Sequence, residues 1–122
     1  MYGVVCFNDF EGNPNFLPRG EASSGSDEIG RRFSEAGIKM SHPITNWRTY
    51  LLFSNLRKFC RKIKNNCSLA VVCIMTHGKA GLLYACGGSE ESQADSCKIN
   101  DILYILGQEL PNHIPKVSIH YQ

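Results

Sequence analysis

The sequence predicts an α/β domain, a mainly parallel sheet flanked by helices, and two observations carry that expectation. Leu69-Ala-Val-Val-Cys-Ile-Met-Thr76 is the most apolar run in the chain. A run of about eight residues rich in valine and isoleucine reads as a strand buried on both faces, as in parallel sheets covered by helices. Around it, strand-like runs alternate with stretches whose apolar residues recur every three or four positions. That alternation implies βαβ units joined by right-handed crossovers.

Residues 3–7 form a short apolar run that breaks at Asn8-Asp9 and reads as the first buried strand. Residues 11–25 are rich in Gly, Pro, Asn and Ser, the composition of a long loop, with Arg19 as the charged feature in its middle. A first helix is expected from Ser24, which stands ahead of Asp27 in a capping-box-like arrangement, through Ile29, Phe33 and Ala36 to a stop at Gly37. Residues 38–40 then make a short strand closed by Pro43. Thr45 or Asn46 can cap a second helix, whose apolar positions are Leu52, Leu56, Phe59, Cys60 and Ile63. Its other side carries Arg57, Lys58, Arg61, Lys62 and Lys64 and reads as a solvated helix face, because no aromatic interleaving or recognition motif accompanies it. After the central strand, Gly78-Lys-Ala-Gly81 and residues 82–85 read as a turn and a short returning strand. Residues 87–96 are a polar loop. Residues 99–106 form a third amphipathic helix, with Lys98 or Asn100 near its start and Gly107 at its end. Residues 116–121 are the last strand.

At 122 residues the chain is one domain with one core. Its charge of +2 gives no steering toward nucleic acid or an anionic membrane, and neither is expected as a partner. No stretch approaches the roughly 18 apolar residues that span a bilayer, and no charged-then-apolar leader opens the chain, so a cytoplasmic location is expected. The six cysteines are an even number, yet Cys6 and Cys73 fall in buried strands and Cys60 on an apolar helix face, where cysteine acts as a small hydrophobe. Cys67, Cys73 and His77 do not have the spacing of a compact zinc framework. No metal and no cofactor is expected.

His77 ends the apolar run and is followed by Gly78, a poor place for packing and a good one for chemistry. Ligands and reacting groups collect outside the carboxyl ends of parallel strands. Imidazole exchanges protons near neutral pH, and a glycine beside it leaves a backbone N–H open to a substrate oxygen. Arg19, after the first strand, and Tyr121-Gln122, after the last, belong to the same end of the sheet.

This set of residues resembles the large subunit of a caspase. In that family a buried strand ends in Ser-His-Gly, here Thr76-His77-Gly78. A later strand of the form Pro-Lys, then mostly apolar residues, then Gln leads into Ala-Cys-Arg-Gly, and here Pro115-Lys116-Val117-Ser118-Ile119-His120-Tyr121-Gln122 takes its place. Arg19 and Phe33 have the family's separation between a loop arginine and a helix phenylalanine. The resemblance covers essentially the whole chain and implies a caspase-like (caspase-hemoglobinase) fold. Residues 1–122 would be one large-subunit (p20) domain, with no prodomain before it and no small subunit after it.

The resemblance also implies roles. His77 would be the imidazole of a Cys-His dyad and the Gly78 N–H one half of an oxyanion hole. Arg19 would take a substrate aspartate, with Gln122, or Tyr121 if the register is shifted, lining the same pocket. The departures are as specific as the matches. Glu21-Ala22 stands where the family commonly has Gly-Thr, placing a carboxylate able to pair with Arg19 or compete with a substrate. Ser118 and His120 interrupt a strand that is usually apolar. Family signatures place the nucleophile about 50 residues after the histidine, and Gln122 is reached before any such cysteine; Cys73 lies about 13 Å before His77 along an extended chain. The expectation is a catalytically incomplete part of an aspartate-specific cysteine endopeptidase, or alternatively a non-catalytic decoy or regulator that binds an active caspase. The expected partners are a caspase small subunit or a caspase paralogue, in a dimer or heteromer, and an aspartate-bearing peptide once the site is completed.

Overall fold

The computed structural model describes residues 1–10, 17–86 and 95–121. A parallel sheet is built from β1 (Tyr2–Phe7), β2 (Lys39–Met40), β3 (Ile44–Thr45), β4 (Ala70–Met75) and β8 (Lys116–Tyr121). Its order is β2-β1-β4-β8, with β3 also pairing β1. A small antiparallel sheet follows β4 and contains β5 (Gly78–Lys79), β6 (Leu82–Tyr84) and β7 (Ser96–Lys98). Ala80-Gly81 closes the β5–β6 hairpin, and Gly81 at φ +75° takes a backbone conformation that side chains other than glycine resist.

Every residue of β4 is buried, which is what its unbroken apolar sequence requires. Val5, Phe7, Cys73 and Met75 form one side of the core, with Ile29 and Phe33 of α1 (Ala22–Glu35) packed on them. Val4, Cys6, Val72 and Ile74 form the other side, under Leu52, Leu56 and Phe59 of α2 (Thr49–Ile63) and Ile102, Ile105 and Leu106 of α3 (Ile99–Glu109).

This layering follows from the crossover rule. The step from β1 to β2 runs one way along the sheet, while the steps from β3 to β4 and from β4 to β8 run the other way. With a constant right-handed turn, a reversal of direction puts the crossover on the opposite face, so α1 covers one face and α2 and α3 the other. The chain leaves β1 and β4 toward opposite faces. A crevice therefore opens between their carboxyl ends, the switch point where open α/β sheets bind ligands.

The helix boundaries differ from the sequence expectation. α1 begins at Ala22, with Glu21 as its N-cap. Ser24 is not a cap; its hydroxyl donates back to the Glu21 carbonyl within the first turn. Neither Thr45 nor Asn46 starts α2: Thr45 belongs to β3, and Asn46, at φ 49°, donates its N–H to the Phe7 carbonyl. The cap of α2 comes from elsewhere in the chain, where Asp95 Oδ2 accepts the Thr49 N–H at 2.9 Å. α3 continues through Gly107 to Glu109. Glycine costs a helix about 0.5–1 kcal/mol, and burial of Leu106 and Leu110 beside it offsets that cost. Ser96, assigned to a polar loop from sequence, opens β7.

Candidate active site

The ends of β1 and β4 are locked by a buried polar hub. Asn8 and Thr76 close these two strands and are fully buried. The Asn8 side-chain amide donates to Thr76 Oγ1 at 3.1 Å and to the Tyr84 carbonyl at 3.2 Å, while its Oδ1 accepts the Trp47 N–H at 2.9 Å. Thr76 Oγ1 donates to the same Tyr84 carbonyl at 2.6 Å. Buried polar groups persist when they find such partners. Here they join β1, β4, the hairpin and the entry to α2, and fix the backbone that carries His77.

His77 is held from three directions. Its backbone carbonyl accepts the Tyr84 N–H at 2.8 Å. Its ring lies 4.7 Å from that of Phe10, tilted by 45°, and Phe10 is buried at φ 56°, a conformation uncommon for a bulky residue. Its Nε2 is 2.6 Å from the Leu17 carbonyl. A carbonyl only accepts, so Nε2 carries the hydrogen, and in the neutral ring Nδ1 is the basic nitrogen.

The segment that supplies the Leu17 carbonyl also supplies Arg19. The Arg19 N–H donates to the Asp9 carbonyl. One guanidinium nitrogen makes a long contact of 3.5 Å with the Thr76 carbonyl, 57 residues away in sequence. Its Nε is buried and, among the described residues, has no hydrogen-bond partner. Arg19 lines a cleft of about 540 Å³ together with Glu21, Gly25 and Met75. A buried donor without an acceptor costs about 1–3 kcal/mol, so this side chain is suited to an incoming carboxylate. Among the described residues Glu21 makes no ion pair with Arg19, although it lines the same cleft.

Gly78 stands opposite Leu83 in the hairpin. Because the Tyr84 N–H bonds the His77 carbonyl, Gly78 and Leu83 form the pair whose amides point away from each other. The Gly78 N–H is thus directed out of the hairpin. Tyr121 ends β8 and pairs with Met75, level with the cleft. Gln122 lies outside the described residues.

Burial works against activation of five of the six cysteines. All six are free. Burial pushes the thiol of Cys73 up to about 11 and those of Cys60 and Cys97 up to about 12. It raises Cys6 further still, and Cys86 in the same direction. A nucleophilic thiolate needs the opposite shift. Cys67 precedes the amino end of β4, which itself lies about 23 Å from His77 along an extended strand. Among the described residues no group of three or more His, Cys, Asp and Glu could hold a metal ion.

Sequence reasoning named Arg19, His77 and Gly78; the fold brings Arg19 within 3.5 Å of the carbonyl that precedes His77-Gly78, while the Arg19 cleft is lined by neither His77 nor Gly78. Sequence reasoning missed the hub and the contacts of Phe10 and Leu17. Asn8 and Thr76 left a signal, two polar residues closing adjacent apolar strands. Leu17 left none, because it acts through its backbone.

No protein-family model and no curated protein sequence matches the chain. Among solved structures it is similar to pro-sf-caspase-1, with a TM-score of 0.79 at 15% identity over 98% of this chain and 44% of that one. It is also similar to caspase-1 from Spodoptera frugiperda, with a TM-score of 0.75 at 17% identity over 97% of this chain and 46% of that one. The chain has a caspase-like fold and spans less than half the length of these structures.

Proposed function

We propose that the chain is the large-subunit segment of an aspartate-specific cysteine endopeptidase, acting in proteolysis of the apoptotic kind in the cytoplasm and completed by a second polypeptide segment. One observation carries this reading: the segment whose Leu17 carbonyl orients His77 also presents Arg19, whose guanidinium reaches the carbonyl just before that histidine. An acid-base group and a carboxylate-binding group are thereby coupled at the crevice.

In the proposed reaction, a cysteine thiolate outside the six present here attacks the peptide carbonyl after an aspartate. The Arg19 guanidinium fork takes the aspartate carboxylate. The outward Gly78 N–H takes the developing oxyanion, worth about 3 kcal/mol. His77 Nδ1 mediates the proton, receiving it from the thiol and delivering it to the leaving amine as the acyl-enzyme forms. Water then hydrolyses the thioester. The completing segment, a caspase small subunit, pairs along β8.

The test is complementation. The chain is co-expressed with a caspase small-subunit segment preceded by its nucleophile cysteine and is assayed on an aspartyl fluorogenic peptide. The chain alone turns nothing over; the complex turns substrate over. His77→Ala removes the activity, and Arg19→Ala lowers kcat/KM at least a hundredfold for aspartate. A folded, assembled but inert complex refutes the protease reading.

A second reading, a non-catalytic regulator that pairs with a caspase paralogue, is favoured by β8. Ser118 and His120 satisfy each other at 2.7 Å, which suits a strand no longer built into a catalytic sheet interior. A change in an active caspase's rate on titrating in the chain, without turnover by the complex above, supports it.

A further inference from the structure

The basic stripe on α2 is not uniform. Arg57 and Arg61 turn to α3, where both reach the carboxylate of Glu109, at 3.8 and 3.2 Å. Arg31 and Arg32 are likewise paired, with Glu28 and Glu35. Lys58 and Lys62 turn the other way, toward the connection between β2 and β3, and have no ion pair among the described residues. Lys39 and His42 line the same region and, among the described residues, also have no ion pair with a carboxylate.

These four basic groups line two adjoining clefts of about 350 and 230 Å³. His42 and Lys62 border both clefts, and among the described residues no aspartate or glutamate lines either one. Tyr2 and Ser41 add hydroxyls to the first cleft. The concentration of positive charge is local, since the whole chain carries only +2. Like charges gathered in a concave site repel one another and raise the local potential. An anion relieves that repulsion, and lysine ammonium groups bind phosphate as point charges. A single charge would engage only one cleft; the shared position of His42 and Lys62 favours a ligand with linked charges.

We infer that the face between α2 and the β2–β3 connection binds a compact polyphosphate, through Lys39, His42, Lys58 and Lys62. The site lies away from the switch-point crevice and is independent of the proteolytic reading. Clefts of this size accommodate a small molecule rather than the long track of contacts that a polynucleotide uses.

Isothermal titration of the full chain at about 0.15 M salt, near a Debye length of 8 Å, tests this with tripolyphosphate, orthophosphate, ATP, adenosine and an oligo-glutamate peptide. Saturable 1:1 binding of tripolyphosphate, at least tenfold tighter than orthophosphate, is expected. Lys39→Glu/Lys62→Glu should weaken it at least thirtyfold, while Lys64→Glu/Lys98→Glu, outside the clefts with the same change in net charge, should weaken it less than threefold. ATP binding tighter than tripolyphosphate, with adenosine weak, assigns the source as a nucleotide; equal binding assigns it to the phosphate chain alone. No binding of tripolyphosphate, equal losses in the two double variants, or binding of the oligo-glutamate peptide alone overturns the proposal.

Discussion

At the scale of single residues, the position of His77 is set by residues that never reach the crevice. The Asn8 amide both donates and accepts within the hub, and this dictates how it can be replaced. Asn8→Ala leaves the Trp47 N–H and part of the Tyr84 carbonyl without their partner, a loss of about 1–3 kcal/mol. Asn8→Asp keeps the acceptor for Trp47 but turns a carboxylate toward the Tyr84 carbonyl. It should be at least as destabilising as Asn8→Ala, and urea denaturation of both variants checks this order. An aspartate variant as stable as the parent would show that the donor half of the hub carries no weight. The sequence made the apolar strands and the residues at their ends legible, so His77, Gly78 and Arg19 could be named. It could not disclose which backbone carbonyl meets an imidazole, because that depends on how segments distant in sequence converge.

Elements were legible where periodicity dominates and less so where the tertiary structure supplies the ends. β4 and the apolar face of α2 stand out because burial imposes their patterns directly. The start of α2 departs from the sequence pattern because Asn46, a good cap by type, is occupied at the exit of β1, and the cap comes from Asp95. In sequence the α2 stripe is one solvated face, and only the fold tells Arg57 and Arg61, which meet Glu109, from Lys58 and Lys62, which do not. β8 carries a pH-dependent group, His120. Burial holds the His120 imidazole below its ordinary value of 6.5, so the folded chain binds fewer protons here than the unfolded chain does. This contribution to stability is complete above about 6.5 and is lost as pH falls through the folded value. Denaturation midpoints at pH 7.5 and 5.5 should therefore converge in His120→Gln relative to the parent. An unchanged difference would assign the acid sensitivity to other groups.

For the whole molecule, the sheet is asymmetric in how it ends. β2 is a two-residue edge, too short to template much pairing. β8 is a six-residue edge that pairs β4 on one side and, among the described residues, nothing on the other. Parallel sheets are normally covered, and a long edge strand exposes a row of backbone donors and acceptors that recruits another strand. Val117 adds an apolar side chain, 42% exposed, to this strand. Lys116, the charged residue that opens the strand, donates its ammonium to the Pro111 and Ile114 carbonyls, and Ser118 and His120 bond each other, so beyond its first residue the edge has no charged side chain of the kind that commonly protects one. The isolated chain should accordingly self-associate as its concentration rises, and Val117→Lys should shift that association to at least tenfold higher concentration with little loss of stability. Sedimentation velocity across a hundredfold concentration range reads both outcomes. A species that stays monomeric throughout would mean that the β8 edge is covered in solution, and pairing of a completing segment along β8 would then have to displace that cover.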